Sequence, residues 1–94
     1  MSNSLKDFTK NARRGLLERF IQVLDDTEVT SENFGEIIRI AVDDCYFSKP
    51  QLASGLDVGL NTIYRWYRKE KIPRSSTTQK AMIDALRAYV ASSL

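Results

Sequence analysis

The feature that most constrains this chain is the apolar spacing between positions 49 and 68, KPQLASGLDVGLNTIYRWYR. Leu52 and Leu56 lie four apart and share one face of a helix. Ile63 and Trp66 lie three apart and share one face of another. The helical period breaks between them, at Leu56-Asp57-Val58-Gly59. One straight helix cannot keep all these residues on its inner side. Two short helices across a tight turn can, each facing a common core, and that is a helix-turn-helix unit. Asp57 stands at the turn, and Asp accepts left-handed backbone better than most residues.

The outer face of the second helix carries Asn61, Tyr64, Arg65 and Arg68 at the same three- and four-residue spacing. It offers an amide, a phenol and two guanidiniums, and no carboxylate. Asn and Arg on such a face can reach base edges in the major groove of DNA, and Tyr and Arg can reach phosphates. In polarity alone, the face also fits a solvated helix surface.

Charge distribution favours the first of these. The 94-residue chain has a net charge of only +2. Yet Lys49, Arg65, Arg68, Lys69, Lys71 and Arg74 stand against Asp57 and Glu70 in residues 45–74, a net +4. Residues 25–44 hold Asp25, Asp26, Glu28, Glu32, Glu36, Asp43 and Asp44 against Arg39, a net −6. The basic block coincides with the helix pair and the loop after it. That is the footprint expected of a phosphate-binding face with an acidic side opposite.

Composition excludes several other roles. The chain has no histidine, which removes the commonest general base and the commonest zinc ligand. No convergent acidic set replaces it, so neither an enzyme, a metal site, a cofactor nor a small-molecule substrate is expected. The single cysteine, Cys45, has no intramolecular disulfide partner. Its context, AVDDCYF, reads as the buried end of a helix, hence a structural thiol. No apolar run approaches the roughly 20 residues that span a bilayer. The first residues, MSNSLKDFTK, lack the apolar core of a signal peptide. A cytoplasmic protein with no membrane partner is expected.

The remaining segments also read as helices. Leu5, Phe8, Ala12, Leu16, Phe20 and Leu24, widened by Leu17 and Ile21, predict a long amphipathic helix with Ser4 as N-cap and Asp7 three residues on. Gly15 interrupts it. Its stripe is expected to pack on the domain, to pair with a second copy, or both. Thr30 or Ser31 is expected to cap a second helix, with Glu32 in its first turn. Its apolar side is Phe34, Ile37, Ile38, Ala41, Val42 and Cys45, closed by Tyr46 and Phe47. Ser48 and Gln51 form a capping box for the third helix, with Pro50 in its first turn. Gly59 or Asn61 starts the fourth. Pro73 ends regular helix in the basic loop 69–74. Ser76 and Gln79 read as a second box opening a fifth helix to about Ala91, with Met82, Leu86, Tyr89 and Val90 inward. The expected fold is all-α: five helices in one domain, with a helix-turn-helix core over 30–94. Residues 1–29 are expected to form an extra N-terminal helix, which with the last helix is a candidate dimerisation element.

Residues 34 to about 91 resemble the lambda-repressor-like, or XRE-type, helix-turn-helix DNA-binding family. Leu52, Leu56, Val58, Ile63 and Trp66 fall at its five apolar positions, and Ala53 at the small residue where the two helices cross. Thr62-Ile63, then Trp66, then Pro73, look like its landmarks. The chain departs from the pattern at Asp57, where the family usually has Gly or Asn. It departs again at Gly59, where Ser or Thr often caps, and at Tyr67, where an acidic residue often follows Trp.

The resemblance implies a DNA-binding transcriptional regulator, a small repressor of phage, plasmid or bacterial type. Its fourth helix, around residues 60–69, would enter the major groove of double-stranded DNA. Leu60, Asn61, Tyr64 and Arg65 are then the base readers. Ser48, Lys49, Gln51, Arg68, Lys69, Lys71 and Arg74 are the phosphate contacts. A homodimer on a palindromic site is expected, with half-sites roughly 34–36 Å apart. The alternative is a protein-interaction adaptor or antitoxin-like module that uses the helix pair as scaffold. The acidic segment and the apolar first helix speak for it.

Overall fold

The computed structural model describes residues 2–94, with side chains from residue 8 onward. The described residues form five α-helices and one π-helical segment, with no strand among them. The central pair forms where local chemistry dictates. Ser48 Oγ accepts from the Gln51 N–H at 3.2 Å, and Gln51 Oε1 accepts from the Ser48 N–H at 2.8 Å. This reciprocal box opens α3 (Lys49–Leu56). The helix stops at Asp57, which is left-handed at φ 55° and ψ 49°. The Val58 N–H folds back to the Ala53 carbonyl at 2.9 Å and satisfies an orphan acceptor. Gly59 is extended and, without a side-chain cap, opens α4 (Leu60–Tyr67). Leu52, Ala53, Leu56, Ile63 and Trp66 are all buried, as their spacing predicts.

The first helix, α1 (Ser2–Asp26), outruns the expected Leu5–Leu24 at both ends. It begins ahead of Ser4, so the helix boundary is not there; the side chains of Ser4, Leu5 and Asp7 lie outside the described ones. Leu17, Phe20 and Leu24 are buried, but Phe8 is 72% exposed and Ala12 is also open. The expected stripe therefore meets the core only in its C-terminal half. A 25-residue helix is about 37 Å long.

The second helix departs from expectation in start and pitch. Thr30 and Asn33 exchange bonds, each side-chain oxygen accepting from the other's N–H at 3.2 and 2.8 Å. That turn delays α2 (Phe34–Arg39) past the expected cap, so that Glu36, not Glu32, lies in its first turn. A π-helical segment, Ile40–Asp44, follows directly. There the Cys45 N–H donates to the Ile40 carbonyl at 3.0 Å and the Phe47 N–H to Ala41 at 3.1 Å. Ala41, Cys45 and Phe47 are all buried in the core. Tyr46 is left-handed at φ 63° and 72% exposed, so it does not close the apolar stripe.

The last helix, α5 (Ser76–Ser92), is capped by Ser75, whose Oγ accepts from the Thr78 N–H at 3.4 Å. The expected Ser76–Gln79 box does not form. Gln79 is instead buried, and its Nε2 donates to Ser31 Oγ at 2.8 Å and to the Pro73 carbonyl at 2.6 Å. Ile83, Leu86 and Val90 face inward, while Met82 and Tyr89 sit at the margin.

One apolar cluster unites all five helices. α1 packs on α5, α2 on α4, and α3 on both α4 and α5. Phe34 meets Trp66 edge to face, centroids 5.0 Å apart at 88°. At Gly55 a Cβ would fall 2.6 Å from the Tyr89 ring, so α3 and α5 touch there only because a glycine is present. Arg87 grips both oxygens of Asp25, with Nη2 at 2.9 Å, and ties α5 to the end of α1.

Candidate nucleic-acid interface

The outer face of α4 is open because its inner face is taken. Ile63 and Trp66 anchor it in the core, so the side chains about half a turn away must point to solvent. Asn61, Tyr64, Arg65 and Arg68 together line a shallow recess of about 360 Å³. It is the patch the sequence predicts, with no carboxylate in its wall. Leu60, at the first position of the helix, is 40% exposed and Tyr64 37%.

The flanking residues fall into two groups. Lys49, at the start of α3, sets its Nζ 4.3 Å from the Tyr67 ring centroid and 5.4 Å from that of Tyr64. The Arg68 guanidinium stands 6.0 Å from the Tyr64 ring. These cation–π contacts join the head of α3 to the outer face of α4 in one cationic ridge. Ser48 and Gln51 border the same head. Their oxygens serve the capping box, which leaves the Ser48 hydroxyl hydrogen and the Gln51 amide hydrogens to donate outward. Lys71 and Arg74 are exposed in the loop after α4 and do not line the recess. Lys69 turns the other way. It is left-handed at φ 62°, and its Nζ meets Glu36 at 3.2 Å.

Several supporting residues escaped the sequence reading. The Tyr67 hydroxyl donates to Asp43 at 2.9 Å. Arg39 Nε donates to the Tyr67 carbonyl at 2.7 Å, and its guanidinium lies 5.1 Å from the Tyr67 ring. Asp43 holds the Tyr67 phenol protonated above the usual tyrosine range, helped by burial. The Glu70 N–H returns to the Arg65 carbonyl at 2.7 Å and closes the C-terminus of α4 around Lys69. Gly35 lets α2 ride against that end: a Cβ there would stand 2.7 Å from Lys69 Cγ and 3.1 Å from the Trp66 carbonyl oxygen. Tyr67 and Asp43 are 24 positions apart, so no local pattern could pair them.

Among the described residues no group of Cys, Asp and Glu gathers as metal donors, and no helix is long and apolar enough to cross a membrane. Comparison with family models, with curated proteins and with solved structures finds no match in any of the three.

Proposed function

We propose that this chain is a sequence-specific double-stranded DNA-binding regulator of the small-repressor kind, acting as a homodimer and laying α4 in the major groove. One observation carries the reading. Asn61, Tyr64, Arg65 and Arg68 share a single open recess on a helix whose opposite side is locked in the core. A reading helix needs both properties. Its donors must be free to meet base edges, and its backbone must be fixed so that each donor meets one base pair. Arg65 reads guanine through a bidentate pair and Asn61 reads adenine, each supplying roughly 1–3 kcal/mol of discrimination. Leu60 meets a thymine methyl. Lys49, Arg68, Lys71 and Arg74, with the Ser48 and Gln51 donors, hold phosphates. Lys69 joins them only by leaving Glu36.

A titration of labelled duplex over a series of salt concentrations tests this. The logarithm of affinity should fall linearly with that of salt, at about −0.9 per phosphate contact. Lys71→Ala should reduce that slope by about one on any duplex. Binding that ignores salt, or no binding at low salt, would remove the groove assignment. The second reading is an adaptor that uses the helix pair as scaffold. It is favoured by the open apolar face of α1, and it takes over if DNA is not retained.

A further inference from the structure

One side of α1 changes character along its length. Lys10, Arg13, Leu17, Phe20 and Leu24 follow one another in alternating steps of three and four, so they share that side. From Leu17 onward it is sunk in the core. Residues 8–15 are exposed all round the helix, so at Lys10 and Arg13 the same side is open and cationic. Residues 8–17 hold Lys10, Arg13 and Arg14 and no carboxylate. Arg14 is engaged by Glu18 at 3.1 Å. Lys10 and Arg13 make no ion pair among the described residues.

Arg13 marks where this side meets the rest of the chain. Its guanidinium stands 5.0 Å from the Phe47 ring centroid. Phe47 is two residues ahead of Lys49, a span of at most about 7 Å. Lys49 lies over the rings of Tyr64 and Tyr67, and Arg68 over that of Tyr64. Cations thus follow one another from α1 through the head of α3 to the outer face of α4. Of the carboxylates in the π-helical segment, Asp43 accepts from the Tyr67 hydroxyl, and Asp44 lines a groove with Leu16 and Arg19 on another flank of α1. Neither pairs with Arg13. Tyr46, next to Phe47, is left-handed at φ 63° and 72% exposed. A bulky residue seldom holds that backbone, and its phenol makes no hydrogen bond among the described residues.

We infer that Lys10 and Arg13 of α1, with Tyr46 in the loop that Arg13 overlies, clamp the DNA backbone beside the stretch that α4 reads. Lys and Arg neutralise phosphates and Tyr donates a hydroxyl to them, and none of the three has to reach a base edge. The contact with Phe47 places the Arg13 charge without using up an anionic partner. Continuity with Lys49 and Arg68 assigns the clamp to the duplex already lying on α4 rather than to a second anionic partner.

This inference rests on the proposed reading of DNA by α4 and adds α1 to its footprint. Titration of the full chain over a salt series, on duplexes that extend a helical turn beyond each half-site, tests it. Lys10→Gln and Arg13→Gln should each flatten the slope of log affinity against log salt by about 0.9 per chain bound, an eightfold or so loss at about 0.1 M salt that vanishes near 1 M. Neither should change the selected sequence or the helical circular dichroism. Arg13→Lys, which keeps the charge, should keep the slope. Tyr46→Phe should weaken binding at an unchanged slope. Lys80→Gln, an exposed cation on α5, should leave affinity and slope as in the wild type. Slopes unmoved by Lys10→Gln and Arg13→Gln, a Lys80→Gln slope that falls as far as theirs, or wild-type affinity in Tyr46→Phe overturns the clamp. A wild type that binds no duplex removes the reading by α4 and the clamp together. A wild type whose sequence preference is lost in Arg65→Ala, at a slope that the α1 variants leave alone, removes the clamp only.

Discussion

Tyr67 donates its hydroxyl to the Asp43 carboxylate at 2.9 Å, fastening the last residue of α4 to the π-helical segment. The bond needs a protonated phenol. Because Asp43 raises the Tyr67 pKa above its ordinary value of 10, the contribution is complete below that value and is lost as pH rises through the elevated one. Tyr67→Phe removes the bond while leaving Asn61 and Arg65 in place. It should weaken binding alike on every duplex without altering the preferred sequence, as fluorescence anisotropy on matched and mismatched sites would report.

Trp66 is the largest anchor under the recess, 5% exposed and edge-on to Phe34. Trp66→Ala should cost about 3–5 kcal/mol in urea denaturation. That is a large part of the roughly 5–14 kcal/mol expected for a chain of this length. Lys71→Ala, exposed in the loop after α4, should stay within about 0.5 kcal/mol.

Two glycines on helices should respond in opposite directions to alanine. At Gly55 the new methyl would stand 2.6 Å from the Tyr89 ring, which itself packs against Phe47 at 5.4 Å. Gly55→Ala should therefore destabilise by about 1–3 kcal/mol through overpacking. At Gly15 nothing lies within 4 Å, so Gly15→Ala should add about 0.5–1 kcal/mol to the single chain. Thermal melts of both variants beside the wild type, at one chain concentration, read the two signs.

Cys45 carries a pH prediction. Burial raises its thiol from 9.0 to about 11, with Asp44 adding to the rise and Arg13 opposing it. With the folded value raised, the contribution is whole below pH 9 and is lost as pH climbs toward 11. Each tenfold change in proton affinity is worth about 1.4 kcal/mol, so stability should fall by about 2 kcal/mol between roughly pH 8 and 10.5. Urea midpoints at the two values should show the fall in the wild type and a smaller one in Cys45→Ala.

The parts of the fold legible in the sequence are those fixed by neighbours a few residues apart. The Ser48–Gln51 box, the left-handed Asp57 and the inward Ile63–Trp66 pair are all local, and all three stand as read. The parts that were not legible depend on distant partners. Gln79 looked like half of a capping box, but Ser31, 48 positions away, and Pro73 claim its side chain. Phe8 and Ala12 continue the four-residue spacing of Leu16, Phe20 and Leu24, but each such step turns about 400°, so the row drifts about 40° at a time and has left the core side where it reaches them. The π-helical segment Ile40–Asp44 and the left-handed Tyr46 after it have no such local signature in the residues around Cys45. Of the candidate interface, the α4 face could be read directly. The grip of Glu36 on Lys69 and of Asp43 on Tyr67 could not.

Selection from a pool of random duplexes with the purified full-length chain tests the central claim most directly. The wild type should enrich one motif with two-fold symmetry, its halves about one helical turn apart. Arg65→Ala should lose the preference at a single base pair in each half. A bound pool with the same composition as the starting pool at low salt would contradict the reading role of α4.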